Sequence, residues 1–594
     1  MAADPRVSAG VVDVRAGAAD ADLVVENGHV VDVFCRRVAR GDVAVKDGRI
    51  IRVGAVGDLV GAGTRRIDAG GRYVTPGLIE THAHSYHANL GLTEYARACL
   101  RAGTTAVAEG FYGQGQIRGA AAVRFFYDEL RRTPLTVLFV VPALAYLQNR
   151  EFGLPPTPDG VTGDELLQML DWEGCVGIEE PPWIPIKEHE PVIVRLVEET
   201  YRRGLAFMGH GAGLEGRELA GYASTGVTGD HECLTAEEAI ARLQHGIMVS
   251  MRETPIARNQ RNVQRAVVEL GADPSLFMFS SDVPDAVTLA RVGHVDEQIR
   301  IAVDGGIEPL EALRMATINA ARFYRVDHRL GSLAPGRQAD ILLVDDLDRF
   351  RATTVIAKGR VVVGPEPTVT FERPVYPAYL RNTVRLARPV APEDLVLRAP
   401  PGATRATVRV IGAESLLSEE RRAELDVVDG AVQPDVDADV LKIAMFDRYG
   451  RWSKPAIAFA QGYELRRGAI GQSYDPYLNG VMVLGTNDAD MALAANRVAE
   501  LEGGFVAVAE GRVLAQVPLP LCGLMSDKPL DEVVTELERL YAVAADELGA
   551  AIERPFHNLA FVALGGELPR LKLSDRGLFD VVERKHLETI VRTA

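Results

Sequence analysis

Residues 76–84 read Pro-Gly-Leu-Ile-Glu-Thr-His-Ala-His, and this stretch decides the fold class. A short apolar run leads into His82 and His84, which are separated by one residue. Because alternate residues of a β-strand face the same side, both imidazoles are expected to point into one pocket. Two neutral imidazoles on one face provide half of a site for a divalent transition metal. His-x-His alone is common, so the interpretation depends on the rest of the chain.

Four further residues of metal-binding type follow, each near the end of an apolar segment: Glu180, His210, His231 and Asp282. His210 precedes small residues that let the backbone approach a ligand closely. His231 stands between two acidic residues, a context that suits a ligand oriented by a carboxylate. We therefore predict metal binding by His82, His84, Glu180, His210, His231 and Asp282. By strand alternation, Glu179 is expected to face away from this pocket.

The same residues predict a reaction. A bound divalent ion lowers the pKa of water to near neutrality and so supplies hydroxide at pH 7. Asp282 can accept a proton from that water and pass it to a leaving nitrogen. Asp282 and the bridging Glu180 are therefore the predicted catalytic residues. Histidine and carboxylate ligands without thiolates suit two ions of manganese, iron or zinc and do not distinguish among them.

Changes in local pattern divide the chain. Asn27-Gly28 and Asp47-Gly48 stand between β-branched runs and predict hairpin turns in a small β-domain. From Tyr73 to about residue 327, short apolar strands alternate with amphipathic segments, which predicts parallel βα units. The predicted fold class is α/β, a (β/α)8 barrel with a small β-sandwich and a C-terminal α/β domain. The predicted boundaries are 1–75 and 331–365 for the sandwich, 76–330 for the barrel, 366–404 for a connector and 405–594 for the C-terminal domain.

The composition of the 594-residue chain excludes several classes of protein. A formal charge of −17 argues against a nucleic-acid surface, which requires a basic face. The sequence lacks an apolar run of about 18 residues, so no membrane span is predicted. Five scattered cysteines fit a reduced, cytoplasmic compartment. A homo-oligomer, in the form of a dimer, is also predicted.

Several longer stretches carry a resemblance to a known family. They include Gly209-His-Gly-Ala-Gly-Leu-Glu-Gly-Arg-Glu-Leu, Gly229-Asp-His-Glu-Cys-Leu-Thr-Ala-Glu-Glu-Ala, Gly485-Thr-Asn-Asp-Ala-Asp-Met and Leu524-Met-Ser-Asp. With residues 76–84, they resemble motifs of the adenine deaminase family in the amidohydrolase superfamily, over most of the chain. The resemblance implies a two-metal amidohydrolase that hydrolyses a C–N bond of a small nitrogen heterocycle or amide.

The chain also departs from that family's pattern near the predicted pocket. Ser-Tyr-His-Ala at 85–88 replaces Ile-Glu-Ser-Ser, and Glu-Gly-Phe-Tyr at 109–112 replaces Asp-Pro-His-Glu. The predicted substrate contacts are His87, Tyr86, Phe111, Tyr112 and Arg252. Tyr449 and Pro476 are further exchanges of this kind in the C-terminal domain, where Tyr477 could join an aromatic pocket. Because lost polar contacts are costly for discrimination, we expect adenine to be a poor substrate and the preferred one to be larger or less polar.

Three functions remain open on the sequence alone. The first is deamination of an aminopurine or related amino-heterocycle by metal-bound hydroxide. The second is hydrolysis of a cyclic amide or an acyl amide at the same binuclear centre. The third belongs to another class, a non-catalytic binding protein with a degenerate site, and the complete ligand set argues against it. Metal content and ammonia release distinguish the three.

Overall fold

The protein is described by a computed structural model that covers residues 19–147, 150, 156–413, 419–474, 480–563, 571–581 and 583–594. Five strands precede the barrel: β1 (Leu23–Asp32), β2 (Arg37–Lys46), β3 (Arg49–Gly54), β4 (Arg65–Asp68) and β5 (Tyr73–Pro76). A short 3-10 turn, Gly57–Leu59, lies between β3 and β4. Asp47 and Gly48 both have positive φ, as the predicted hairpin between β2 and β3 requires.

The turn predicted at Asn27-Gly28 is wrong, because β1 runs through both residues as one strand. Its register against β2 shifts between Val25 and Gly28, and Asn27 has φ 59°. The pair therefore forms a β-bulge, which uses the same left-handed conformation that favours Asn-Gly in turns. A Cβ at Gly28 would overlap Val74 of β5, so close strand packing also requires glycine here.

A parallel barrel follows, as predicted. Its strands are β6 (Leu78–Glu80), β7 (Thr104–Glu109), β8 (Thr136–Pro142), β9 (Cys175–Pro182), β10 (Ala206–His210), β11 (Gly229–Asp230), β12 (Met248–Thr254) and β14 (Phe277–Ser280), with β13 (Ala257–Arg258) as a hairpin on β12. Each strand pairs in parallel with the next along the wall. The barrel residues Ile79, Leu138 and Met208 are buried together, so the interior is a packed core.

Helices surround the barrel. They span Leu92–Arg101, Tyr112–Arg131, Ala143–Leu147, Gly163–Met169, Trp183–Lys187, Pro191–Arg203, Gly216–Ala223, Ala236–Gln244, Gln260–Val263, Arg265–Val268, Ala286–Arg291, Val295–Asp304 and Pro309–Arg314, the last continuing through a π-turn at Met315–Asn319 into Ala320–Phe323. The Tyr112–Arg131 segment breaks at Arg118 and Gly119, whose dihedrals are not helical. Two 3-10 turns, Ser85–Ala88 and Pro274–Leu276, connect strands to helices.

The barrel closes where β14 meets β6, just beyond the last residues of both strands. The amide of Asp282 donates to the carbonyl of His82 (2.8 Å), and the amide of His84 donates to the carbonyl of Asp282 (2.8 Å). Ala83 and Asp282 form an isolated parallel bridge at the same place. We call this contact the seam. It is made by the backbone of predicted metal-binding residues.

Three strands after the barrel complete the first sheet: β15 (Ile341–Val344), β16 (Ala352–Ala357) and β17 (Arg360–Val363). The order is β17-β16-β15-β5-β1-β2-β3, with β4 beside β1. β15 pairs with β5, which leads directly into β6, so the sheet holds both ends of the barrel segment together. The connector that follows contains short 3-10 turns at Ala378–Leu380 and Pro392–Leu395.

The C-terminal region contains a ten-stranded, mostly antiparallel sheet. Its strands are β18 (Arg405–Gly412), β19 (Glu419–Val428), β20 (Ala431–Val432), β21 (Leu441–Phe446), β22 (Ala456–Gln461), β23 (Ala469–Gln472), β24 (Val481–Gly485), β25 (Gly504–Ala509), β26 (Arg512–Pro518) and β30 (Ile590–Thr593). A small sheet contains β27 (Leu571–Ser574), β28 (Gly577–Asp580) and β29 (Lys585–Leu587), and the helices are Asp488–Glu500, Leu530–Asp546 and Pro555–Ala560. Across the described ranges, no helix combines the length and hydropathy needed to cross a membrane.

The C-terminal region packs against the loop that follows His84. Ser526 accepts a hydrogen bond from Gly91 and donates one to Asn89, each through backbone atoms at 2.9 Å. The side chain of Asn89 also donates to the carbonyl of Leu524. Residues far apart in sequence therefore fix the segment that borders the predicted metal site.

Candidate functional site

The carboxylate of Glu180 lies at the centre of the predicted cluster. Its Oε1 atom is 3.4 Å from His82 Nε2, 3.3 Å from His210 Nδ1 and 3.4 Å from His231 Nε2. Its Oε2 atom is 3.2 Å from His84 Nε2. One carboxylate thus faces four imidazoles that come from the ends of three other strands. The positions of these residues along the chain do not show that their side chains meet, because it is the closed barrel that brings them together.

Left-handed backbone conformations direct two acidic side chains into the cluster. Glu180 has φ 54° and Asp282 has φ 57°, values that are uncommon outside glycine and that cluster at functional sites. The expectation that Glu179 faces away is wrong, because positive φ at Glu180 interrupts strand alternation. Glu179 Oε2 lies 3.9 Å from His82 Nδ1, while Glu180 approaches Nε2 of the same ring. The two neighbouring carboxylates therefore contact opposite edges of one imidazole.

Glu232 joins the cluster, although the sequence did not single it out as a ligand. Its Oε1 atom lies 3.1 Å from His231 Nε2 and 3.3 Å from His210 Nδ1. The other acid beside His231, Asp230, is fully buried and accepts the amide of Glu232 while pairing with Arg242. Asp230 therefore holds the backbone of this loop and does not contact the His231 ring. The only sequence signal for Glu232 was its position directly after His231.

Asp282 and Arg252 complete the polar cluster. Asp282 Oδ1 lies 3.7 Å from His82 Nε2 and 3.4 Å from His84 Nε2. Arg252, on β12, donates from Nη1 to Asp282 Oδ2 (2.8 Å) and from Nη2 to Glu232 Oε2 (3.0 Å). The guanidinium thus bridges two buried carboxylates at the cluster's edge. The contact between Arg252 and substrate that the sequence suggests stays a prediction.

Charge and burial set the ionisation of the cluster. Burial lowers the pKa of His82 to about 4, and the nearby imidazoles of His231 and His84 act in the same direction. Burial also favours neutral His84 and His210, but neighbouring carboxylates outweigh it and raise their pKa values to about 10 and about 9. Burial opposes ionisation of Glu180 as well, yet the four histidines around it hold its pKa well below the usual range.

The donor atoms fit divalent ions. Two sets of ligand atoms each lie within 4.8 Å of one another: His82, Glu180, His231 and Asp282, and Glu180, His210, His231 and Glu232. Several of these atoms are buried and form no hydrogen bond within the described structure, namely His82 Nε2, His210 Nδ1, His231 Nε2 and Glu180 Oε2. Buried polar atoms without partners are costly unless a cation satisfies them. Imidazole and carboxylate donors suit zinc, iron and manganese.

A buried ion pair between Glu80 and His294 stabilises the seam. Glu80 Oε1 accepts the amide of His82 and Oε2 accepts the amide of Ser281, each at 2.9 Å. His294 Nε2 lies 3.1 Å from Glu80 Oε2, and its Nδ1 is 2.9 Å from the hydroxyl of Thr104. One carboxylate therefore ties together the two strands that carry His82 and Asp282. The sequence does not single out His294, and only tertiary contacts reveal its position.

Aromatic side chains line one flank of the cluster. The Tyr112 ring meets His84 edge-on with centroids 4.5 Å apart, and its hydroxyl accepts from Tyr86 at 2.7 Å. Tyr86 stacks on His87. The Nδ1 atom of His87 contacts the hydroxyl of Tyr474, which follows β23 in the chain. The structure thus brings Tyr86, His87 and Tyr112 to the site. We call this group, with Tyr474, the aromatic wall.

Other predicted pocket residues lie elsewhere or are outside the described ranges. The Phe111 ring packs toward Tyr127, 6.3 Å between centroids, in the core behind the site. Its substrate contact stays a prediction. The guanidinium carbon of Arg451 lies over the rings of Tyr449 and Trp452, 5.1 and 4.2 Å from their centroids. Pro476 and Tyr477, which the sequence also suggested for the pocket, lie outside the described residues.

Comparison with known proteins gives matches over both major regions. The amidohydrolase family model matches residues 73–362, and the adenine deaminase C-terminal domain model matches residues 415–585. The adenine deaminase of Moorella thermoacetica is 34% identical over 585 residues, covering 98% of this chain and 97% of that protein. An adenine deaminase of Mesorhizobium japonicum is 33% identical over 589 residues, with coverage of 98% and 96%.

Solved structures resemble the chain more distantly. A zinc-bound adenosine deaminase from Xanthomonas campestris aligns with a TM-score of 0.44 and 18% identity, over 60% of this chain and 95% of that one. A β-aspartyl dipeptidase from Fervidobacterium islandicum aligns with a TM-score of 0.45 and 19% identity, over 59% and 100%.

Proposed function

This chain belongs to the adenine deaminase family of amidohydrolases, and from that premise we propose that it deaminates an aminopurine or a related amino-heterocycle. It is a metal-dependent hydrolase of C–N bonds, and its substrate is a small molecule. The observation that carries the proposal is the position of Glu180, whose carboxylate lies within 3.4 Å of four imidazole nitrogens. Such a site could hold two ions, with Glu180 as a ligand common to both.

We assign the metal ligands as two overlapping sets. The first contains His82, Glu180, His231 and Asp282, with His84 beside Glu180 and Asp282, and the second contains Glu180, His210, His231 and Glu232. The ions are two, of manganese, iron or zinc. When bound, they supply Lewis acidity, which acidifies water and polarises the carbon under attack.

The chain's own residues orient these groups and move protons. The Oδ1 atom of Asp282 lies on the imidazole side of the cluster, where it can take a proton from water and return it to the leaving nitrogen. Arg252 holds the other oxygen of Asp282 and so fixes its orientation. The side chains of the aromatic wall are all at most 3% exposed, so they exclude bulk water from this flank.

Metal content tests the assignment directly. Protein grown with ample manganese, iron and zinc is expected to contain about two equivalents of divalent metal, measured by elemental analysis. Glu180→Gln is expected to lower this content to one equivalent or less, because the shared carboxylate becomes a neutral amide. Glu173→Gln, an exposed glutamate at the barrel's outer surface, serves as the control. Less than about half an equivalent of every metal in the wild type would refute the two-ion assignment.

Ammonia release tests the reaction, and adenine tests its specificity. Ammonia is expected from aminopurines or related amino-heterocycles and not from lactams or acyl amides. We propose that adenine itself is a poor substrate, because Tyr86 and Tyr112 of the aromatic wall stand where the family has glutamates, and Phe111 stands where it has a histidine. A lost charge-assisted hydrogen bond costs about 1.5–3 kcal/mol. A kcat/KM for adenine of about 10⁵ M⁻¹s⁻¹ or more, in the usual range for a native substrate, would show that adenine is the substrate.

The remaining assignments concern the whole chain. We propose a cytoplasmic homodimer that binds neither nucleic acid nor membrane, in keeping with the charge of −17 and five cysteines that are all free. We also propose the domain boundaries 1–75 with 331–365, 76–330, 366–404 and 405–594. Light scattering of the purified protein tests the dimer, and limited proteolysis tests whether cleavage concentrates in 366–404.

A further inference from the structure

A second cavity of about 370 Å³ lies outside the metal site, where three parts of the chain meet. Its walls come from the start of the Leu92–Arg101 helix, the end of the Tyr112–Arg131 helix with its following loop, and residues 368–374 of the connector beside β17. None of the metal-site residues lines it. Its volume falls within the range of small-molecule sites, about 300–1,000 Å³.

A buried carboxylate forms part of this cavity. Glu129 is 3% exposed, and its Oε1 atom accepts hydrogen bonds from the amide and hydroxyl of Thr93 and from the hydroxyl of Tyr376. Its Oε2 atom is buried and has no hydrogen-bond partner among the described residues. The first oxygen is fully used to fix the side chain, so the second is available for a donor that a ligand brings.

Basic side chains surround the same cavity. Arg132, Arg360 and Arg373 line it. Arg373 donates to the carbonyl of Asp527 and lies 3.9 Å from Glu94 Oε1. Arg132 and Arg360 have no ion-pair partner within the described ranges. Glu129 and Glu372 also line the cavity, so three arginines against two glutamates leave a formal excess of positive charge, in a chain whose formal charge is −17. Guanidinium groups recognise phosphate and carboxylate oxygens through paired N–H donors.

We propose that this cavity binds a phosphorylated pentose, either free or as part of a nucleotide. The phosphate meets Arg132 and Arg360 at the mouth, and a sugar hydroxyl donates to Glu129 Oε2 inside. A carboxylate that accepts from a ribose hydroxyl is a recurring element of nucleotide sites. A simple anion would leave the buried carboxylate unsatisfied and would meet its negative charge. The combination of arginines with an unpartnered carboxylate therefore fits a ligand that has both an anionic end and a hydroxyl end.

Calorimetric titration of the full-length protein tests the proposal, with ribose 5-phosphate, adenosine monophosphate and inorganic phosphate as probes at low ionic strength. Ribose 5-phosphate is expected to bind at least about tenfold more tightly than inorganic phosphate, since each hydrogen bond to a charged group contributes on this scale. If adenosine monophosphate binds more tightly than ribose 5-phosphate, the ligand is a nucleotide. If the two bind equally, the ligand is the sugar phosphate alone.

Three variants locate the binding. Arg132→Ala and Arg360→Ala are each expected to weaken ribose 5-phosphate binding about tenfold or more while leaving deamination unchanged. Glu129→Gln is expected to weaken ribose 5-phosphate and to leave inorganic phosphate unaffected. Arg195→Ala, which removes an exposed arginine from the Pro191–Arg203 helix, is the matched control and should bind like the wild type.

Three results would overturn the proposal. One is the absence of ribose 5-phosphate and nucleotide binding up to about 10 mM, a concentration at which even weak sites with Kd near 1 mM fill. A second is binding that Arg132→Ala and Arg360→Ala leave intact, because the ligand would then occupy the metal site or another surface. Equal affinity for inorganic phosphate and ribose 5-phosphate would also refute it, since Glu129 would then have no role.

Discussion

Replacement of Asp282 by asparagine is expected to lower kcat by about 10²–10⁴-fold, the range for loss of a positioned proton-transfer group. Asparagine has nearly the same shape, and it tolerates the left-handed backbone that Asp282 adopts at φ 57°. Its amide oxygen can still approach His82 and His84, but it cannot carry a proton between water and the leaving nitrogen. The fold and much of the bound metal should therefore survive. Steady-state kinetics, with elemental analysis of the same sample, measures both.

Asp490→Asn is a suitable control for this experiment. Asp490 is also a buried aspartate, and it accepts the amide of Gly511 in the C-terminal region, far from the metal cluster. Its replacement should change turnover by less than about threefold. An Asp282→Asn enzyme that keeps wild-type turnover within the same margin would remove Asp282 from proton transfer. An enzyme that loses its metal as well would assign Asp282 to metal binding alone.

Replacement of Arg252 by methionine is expected to lower the free energy of unfolding of the metal-free protein by about 3–5 kcal/mol, as is typical when one partner of a buried ion pair is removed. The reason is that Glu232 and Asp282, both buried, lose their shared counter-charge. Added divalent metal should recover part of this loss, because cations then balance the carboxylates. Chemical denaturation with and without manganese or zinc measures the effect.

Two further variants make the Arg252 result specific. Arg252→Lys keeps the charge but cannot donate to both carboxylates at once, so an intermediate loss is expected. Arg124→Met removes an exposed pair with Asp128, for which about 1 kcal/mol or less is expected. If Arg252→Met instead retains wild-type stability and only raises KM, the guanidinium is a substrate contact, as the sequence suggested.

The prediction of the fold succeeded because periodicity and turn chemistry are local signals. Strand–helix alternation between Tyr73 and residue 327 indicated the barrel, and its fold class is confirmed. Asn27-Gly28 shows the limit of such signals, since the same left-handed preference serves a turn and a bulge. Only the partner strand, which contributes Val74 beside Gly28, decides between them.

The site was predictable in its residue types and less so in its geometry. The histidines and Glu180 were singled out because each lies near the end of a predicted strand, and the structure brings them together. Glu179 was misplaced, because a single residue with positive φ reverses the direction that alternation predicts. Glu232 and its contact with Arg252 were missed, since a pairing across 20 positions leaves no periodic signal. His87 contacts Tyr474 across 387 positions, a relation that follows only from the packing of separate regions.

The seam has a consequence for the order of events during synthesis. His82 and Asp282 are about 200 residues apart, and their backbone atoms bond only after β14 has reached β6. At the usual translation rate of about 5–20 residues per second, roughly 10–40 seconds separate the emergence of the two residues. Throughout that interval His82 and His84 lack Asp282, and for about its first half they also lack Glu180. The complete set of ligands therefore exists only after nearly the whole barrel has left the ribosome, which makes metal acquisition a late step in the life of the newly made chain.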